Sequence, residues 1–339
     1  MPSTSPTVLV LGATGFIGQA LIRQLRHAGL GTRALVRSSS TKAAMLAQQG
    51  VELMVGDFTD PVSLDAALVG IQHVYHLARA SGTTWDDYLR NDVTPTRLLA
   101  ERCAAQNIWL YYASSIAIYH GGRDGDVIDE ATPPCPDALR VNAYARAKAE
   151  NETQLRTLHR ERGLKALIFR PGMVIGAGGS LYPSGVGAWP SETLCRPWGG
   201  GGQPLPFVLV DDCAAAMVLA IQIDGLAGES FNLVGDAALT GNAYLDALER
   251  ATGVTIRRAP LPAWWLYARS ITKWMALKLL GKASGESPTY RYFDGLARRG
   301  SFSAAHAKHR LGWASATDTA VLIDQGILVA AHGARQGDK

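Results

Sequence analysis

The chain has 339 residues, 47% hydrophobic and 18% charged, a globular composition with enough mass for one large domain or two smaller ones. A net charge of +4, from 33 basic and 29 acidic residues with no dense basic cluster, argues against nucleic acid or a membrane surface as the main partner. Cys103, Cys135, Cys195 and Cys213 lie far apart, without C-x-x-C or Cys/His ligand spacing. That excludes a structural zinc and a disulfide framework as expectations, and points to reduced thiols and a cytoplasmic protein.

In chain order, Pro2 to Thr7 is small and polar and reads as a loose arm, lacking the basic and apolar segments of a signal peptide. Val8 to Leu11 is a short apolar run, as in a strand buried on both faces of a parallel sheet. Gly12, Gly15 and Gly18 follow, then an amphipathic helix from Phe16 to Ala28. Glycines there permit a tight turn, let the backbone approach a phosphate, and let the helix pack closely on the strand. The helix start then offers free N–H groups and a positive dipole end to an anion. Thr32 to Val36 is a second strand, with Arg37 at the position where an NAD-binding acid would stand. Arg37 and the hydroxyls of Ser38 to Ser40 suit a 2′-phosphate, so NADP is expected, with NAD as the alternative.

Val51 to Val55 is a third strand ending at Gly56 and Asp57; Asp57 could accept from the adenine amino group or cap a turn. Asp60-Pro61 starts a helix to Leu68, and Val74 to Leu77 is a fourth strand running into Ala78. Asp86 to Gln106 reads as one long helix, with Asn91 in its first part and a local distortion at Pro95. Trp109 to Ala113 is a fifth strand, followed by Ser114-Ser115. Gly121 to Pro136 reads as a loop, Asn142 to Arg162 as a long helix, and Leu167 to Arg170 as a strand ended by Pro171-Gly172. Gly176 to Pro206, rich in Gly and Pro, reads as a long functional loop. Asp211 to Ile223 and Thr240 to Thr252 are helices, Phe231 to Val234 is a strand, and the remainder to about Ile327 is mostly helical. The alternation of strands and helices predicts an α/β fold with a parallel, doubly wound sheet. No uncharged apolar segment reaches the ~18 residues of a spanning helix. Trp264 to Leu280 comes nearest, interrupted by Arg269, Lys273 and Lys278. Arg269 and Lys278 fall on opposite sides of a helical wheel, so no clean stripe is read. Core or pocket wall is preferred over membrane contact, and stable membrane insertion is not expected.

Tyr144 and Lys148 stand four residues apart on one helix face. A phenol has a pKa near ~10, and a neighbouring ammonium favours its ionised form, which makes such a pair a candidate acid/base. By spacing alone it equally fits a surface pair. The order of features is more specific: a glycine turn, a His76-Leu77-Ala78 strand end, Asn91, a Ser-Ser strand end, then Tyr-x-x-x-Lys. This order resembles the extended short-chain dehydrogenase/reductase family, also called the NAD-dependent epimerase/dehydratase family. The resemblance continues in Arg170-Pro171-Gly172, in the run Phe207 to Asp212 and in Leu311-Gly312-Trp313, and covers roughly residues 7 to 327.

The resemblance implies a Rossmann-type domain over 7–172 with 207–234 returning to it, and a smaller mixed substrate-binding region over 173–206 and 235–330. It implies hydride transfer between a nicotinamide and a carbonyl or alcohol. Tyr144 would be the general acid/base, Lys148 would bind the nicotinamide ribose and tune Tyr144, Ser115 would orient the substrate oxygen, and Asn91 would support a relay behind Lys148. Gly12, Gly15 and Gly18 would carry the pyrophosphate and Asp57 the adenine, and Thr14, Phe16, Ile17, Arg37, Phe58, Leu77, Ala78 and Pro171 would also belong to the cofactor site. A homodimer through the helices carrying Asn91 and Tyr144 follows by analogy. Departures concern the substrate. His120 replaces a usual glycine, and Met173, Leu205 and Leu209 stand where sugar-nucleotide members carry polar or cationic groups. An apolar or weakly polar small-molecule substrate is therefore expected. Arg196, Arg257 or Arg258 could instead fold back to supply charge. The alternatives are a nucleotide-sugar epimerase/dehydratase and a non-catalytic dinucleotide sensor.

Overall fold

The computed structural model describes residues 7–38, 40–79, 82, 84–119, 125–281, 287–297 and 300–337. Ser39, His120 and residues 2–6 of the N-terminal arm lie outside them.

Strand β1 (Val8–Leu11) is buried on both faces and leads through the glycine turn into α1 (Phe16–His27). Val8 and Val10 join the core on one side of the sheet, Leu9 and Leu11 the core on the other, as the two-residue strand period requires. There follow β2 (Thr32–Val36), α2 (Thr41–Gln48), β3 (Glu52–Val55), α3 (Pro61–Leu68) and β4 (His73–His76). Asp60 caps α3 by accepting from Val62 and Ser63 N–H, and Pro61 fills the first helical position, where no donor is needed.

The helix expected over Asp86 to Gln106 is instead three pieces: α4 (Trp85–Tyr88), a widened π-turn (Leu89–Val93) and α5 (Thr94–Ala105). Pro95 has no N–H and its ring would crowd the carbonyl of Asn91 in a regular helix. The wide turn just before it, closed by Thr94 N–H to Leu89 O, relieves that conflict. Strand β5 (Trp109–Ala113), β6 (Val127–Ile128), α6 (Pro136–Val141), α7 (Ala143–Arg162) and β7 (Ala166–Pro171) come next. The expected loop over 121–136 thus contains a short strand; β6 pairs in parallel with the distant β14 (Ser301–Phe302).

The long loop expected over 176–206 is corrected more strongly: within it β9 (Gly187–Ser191) forms an antiparallel hairpin with β10 (Leu194–Pro197). On either side of it, β8 (Met173–Ile175) pairs with β11 (Phe207–Leu209). Glycine belongs in that hairpin, because a Cβ on Gly187 would lie 2.5 Å from Arg196 O. Helix α8 (Val210–Ala220), β12 (Ser230–Leu233), α9 (Gly241–Thr252), β13 (Arg257–Arg258), α10 (Ala263–Leu279) and α11 (Tyr290–Ala297) complete the elements used below. Helix α10, expected as core or pocket wall, has no buried residue.

The main sheet has seven parallel strands in the order β12-β7-β5-β4-β1-β2-β3. From β1 the chain winds outward one way to β3, and from β4 the other way to β12. This reversal leaves a crevice at the carboxyl ends of β1 and β4, the place where open α/β sheets bind ligands.

Candidate active site

A cleft of about 680 Å³ opens at that reversal. It is lined by all the catalytic and cofactor-side candidates read from the sequence: Gly12, Thr14, Gly15, Phe16, Ile17, Gly18, Arg37, Asp57, Phe58, Leu77, Ala78, Asn91, Ser115, Tyr144, Lys148 and Pro171.

The glycine turn has three separate causes. Gly12 adopts φ +86°, and a Cβ there would lie 2.7 Å from the Ala78 nitrogen. A Cβ on Gly18 would lie 2.2 Å from Gly12 O, so this glycine sets how closely α1 packs on the turn. Gly15 is exposed and is the N-cap of α1, with no side-chain cap and no acid in the first turn. The N–H groups of that turn therefore remain for an anion.

At the far end of the cleft, Arg37 is exposed and makes no ion pair among the described residues. Of its neighbouring hydroxyls, Ser40 is spent on capping α2. The Oδ1 of Asp57 accepts from the Thr59 N–H and hydroxyl, both at 2.9 Å, which leaves Oδ2 free.

Tyr144 and Lys148 project from the start of α7, whose N-cap Asn142 accepts from Tyr144 and Ala145 N–H at 3.1 and 3.3 Å. Tyr144 is half-buried, its ring 6.5 Å from that of Tyr88 and under the guanidinium of Arg79 at 5.6 Å. The Lys148 Nζ lies 5.8 Å from the Tyr144 ring centre and 4.7 Å from that of Tyr112. Lys148 is buried, and burial disfavours its charge. Tyr112, Asp92 and Tyr144 outweigh that and raise its pKa, so the ammonium persists through the neutral range.

The two serines divide. The Ser114 hydroxyl is buried and donates to Glu152 Oε1 at 2.6 Å. The Ser115 oxygen only accepts, from Ala117 N–H at 3.2 Å, and keeps its proton for a ligand in the cleft.

Behind Lys148 lies a polar cluster that sequence reasoning missed. Asn151 Nδ2 donates to Asp92 Oδ1 and to the Tyr112 hydroxyl, both at 2.8 Å. Thr96 donates to Asp92 Oδ1 at 3.4 Å and shares a 2.9 Å bond with His76 Nε2. Burial pushes the His76 pKa down to about 4, so its ring is neutral. A second cluster joins Glu152 to Arg170, at 2.9 and 2.5 Å, and Arg170 to the Tyr119 hydroxyl. Its signal was available: Glu152 follows Lys148 by four residues on the face that carries Tyr144.

The substrate-side residues distribute differently from the expectation. Leu205 and Leu209 are 7% and 4% exposed and belong to the core around Phe207 and Tyr244, and they do not line the cleft. Met173 packs over Gly185, where a Cβ would lie 2.6 Å from its sulfur. The apolar cleft wall near the serines comes instead from Ala113, Pro171 and Val174. Arg258 is held by Asp246 and Glu249, and Arg257 is exposed on β13; neither lines the cleft, nor does Arg196. The cation at the mouth is Arg79, which was not singled out from the sequence.

Comparison with known proteins agrees with this geometry. The model of the NAD-dependent epimerase/dehydratase family matches residues 8–234. A 2-alkyl-3-oxoalkanoate reductase of Shewanella oneidensis is 24% identical over 319 residues, 90% of this chain and 81% of the relative. The crystal structure of gox2253 superposes with a TM-score of 0.77 at 26% identity, covering 98% of this chain and 99% of that one. MoeE5, in complex with UDP-glucuronic acid and NAD, shares the fold with a TM-score of 0.72 at 22% identity, covering 97% and 99%.

Proposed function

The chain belongs to the NAD-dependent epimerase/dehydratase family, and we propose that it is an oxidoreductase acting on a carbonyl or alcohol of a mainly apolar small molecule. The observation that carries this reading is the convergence of Ser115, Tyr144 and a buried, charged Lys148 on one cleft with an open glycine turn. Binding a dinucleotide alone needs no such proton donor, which disfavours a sensor.

The residues present fit a nicotinamide dinucleotide: the α1 start suits a pyrophosphate, and Gly12, Gly15 and Gly18 leave room where side chains would collide. The group supplies hydride chemistry when bound. The protein does the rest. Ser115 donates to the reacting oxygen, Tyr144 gives or takes the proton at that oxygen, and Lys148 holds positive charge beside the Tyr144 ring. Ala113, Pro171 and Val174 give an apolar wall on which a ketone is held by shape and few polar contacts. Arg79 adds a single cation at the mouth, suited to one carboxylate on an otherwise apolar ketone. The substrate class named for the Shewanella reductase has this chemistry.

Calorimetric titration with ring ketones, 3-oxo acids and nucleoside diphosphates, cofactor present, tests the substrate class. Binding and turnover are expected with the ketones. Micromolar binding of a nucleoside diphosphate outside the adenine site would promote the epimerase/dehydratase reading instead.

For the cofactor, NADP(H) is expected to bind about tenfold to a hundredfold tighter than NAD(H). A charge-assisted contact from Arg37 to a phosphate contributes roughly 1.5–3 kcal/mol. Titration of both cofactors before and after Arg37→Asp measures this. Equal affinities in the wild type would leave Arg37 as a solvated surface charge.

A further inference from the structure

Helix α10 is seventeen residues long and has no buried residue. Its outer side chains are apolar and large: Trp264 is 61% exposed, Met275 48%, Leu279 89% and Trp265 38%. At 3.6 residues per turn these four, with Ala268, Thr272 and Ala276, fall within about a third of the circumference, and the Thr272 hydroxyl is turned back onto the Ala268 carbonyl at 2.8 Å. Arg269 and Lys273 border this sector on one side and Lys278 on the other. The expectation of no clean stripe is thus corrected: the cations stand on opposite sides because they frame one. The opposite, half-buried face turns to α11, where Tyr267 meets Tyr290 edge-on at 6.0 Å.

Charge selects the occupant of the outer face. Helix α10 itself carries Arg269, Lys273 and Lys278 and no carboxylate. An exposed apolar sector with tryptophans, rimmed only by cations, matches the interface of an anionic bilayer. The rings sit at headgroup depth and the ammonium and guanidinium groups meet phosphates. Among the described residues no helix is long and apolar enough to cross a membrane.

We propose that α10 is a docking helix for an anionic lipid surface, lying flat with Trp264, Trp265, Met275 and Leu279 immersed and Arg269, Lys273 and Lys278 at the headgroups. Its position bears on catalysis. Tyr292 of α11 lines a shallow pocket together with Tyr144, so one helix separates the docked face from the candidate acid/base. On the reading that the substrate is an apolar ketone, docking puts the mouth of the site beside the phase in which that substrate dissolves.

The test is flotation of the full chain with vesicles of phosphatidylcholine containing about 30 mol% phosphatidylglycerol, against phosphatidylcholine alone, at low and high salt. Binding is expected only to the anionic vesicles, and is expected to weaken with salt. Trp264→Ser combined with Leu279→Ser is expected to lower partition at least tenfold. The triple variant Arg269→Gln, Lys273→Gln, Lys278→Gln is expected to lower it by about fivefold per cation removed. Cofactor affinity and the thermal midpoint should stay as in the wild type. Absence of wild-type flotation with anionic vesicles at low salt overturns the proposal, as does partition that these variants leave unchanged. A wild-type dimer that Trp264→Ser with Leu279→Ser makes monomeric, seen by light scattering, also overturns it and assigns the face to a second copy. Partition is read without turnover, so loss of the docking proposal leaves the oxidoreductase reading standing, and the reverse holds.

Discussion

Tyr144→Phe is expected to lower turnover by about 10²- to 10⁴-fold, the scale of general acid–base catalysis, while cofactor affinity and fold are kept. The Tyr144 hydroxyl has no hydrogen-bond partner among the described residues, so removing it leaves no buried group unsatisfied. Phenylalanine preserves the ring contacts to Tyr88 and Arg79 and the place of Lys148 over the ring. The loss should therefore appear in kcat rather than in the thermal midpoint. Steady-state kinetics, cofactor titration and thermal unfolding on the same preparation separate the two. Turnover near the wild-type value on the true substrate would remove Tyr144 from the mechanism.

Glu152→Gln is expected to destabilise the fold by about 3–5 kcal/mol, the usual result of removing one partner from a buried ion pair. Arg170 and Glu152 are 3% and 5% exposed at their side chains, and the carboxylate meets the guanidinium through both oxygens. With the charge gone, Arg170 keeps the Tyr119 hydroxyl, the Glu130 backbone carbonyl and the weaker attraction of the Glu130 carboxylate, which does not replace a bidentate partner. The double variant Glu152→Leu, Arg170→Met is expected to recover part of the loss, because no buried charge is stranded. Denaturant titrations of the three proteins check this. A single variant within about 1 kcal/mol of the wild type would show that water reaches the pair. The pair also bears on the active site, since Glu152 holds the Ser114 hydroxyl and so leaves Ser115 as the serine with a free proton.

The sequence made all seven strands of the main sheet legible for a simple reason. Runs such as Val8 to Leu11 and Trp109 to Ala113 are apolar, short and ended by Gly or Ser, and parallel strands buried on both faces need that. The cleft residues were legible because the strand ends and the Tyr-x-x-x-Lys helix carry them at fixed offsets. The hairpin β9–β10 was not, since Gly187, Pro190 and Pro197 carry turn signals that close backbone approach can also explain. Leu205 and Leu209 misled for another reason: apolar character does not say whether a side chain faces a ligand or a core. Asp92, Thr96 and Asn151 were hidden because polar residues on a helix read as solvated until the fold buries them.

The pairing of α1 with α8 has a consequence for how the chain is made. Arg23 meets Asp211 at 2.8 Å, Gln24 reaches the Asp211 carbonyl, and Leu21, Ile22 and Leu25 share a core with Cys213, Ala214 and Met217. Strand β12, which closes one edge of the sheet, follows later still. During synthesis at about 5–20 residues per second, the nucleotide-side helix therefore waits roughly ten seconds or more for its covering partner. Through that interval α1 lacks its neighbour, and from its own synthesis until β12 follows β7 is an open, apolar edge, the exposure that recruits chaperones and seeds aggregation. The nascent chain is thus most vulnerable while its dinucleotide half is already translated and the segment that protects it is still inside the ribosome.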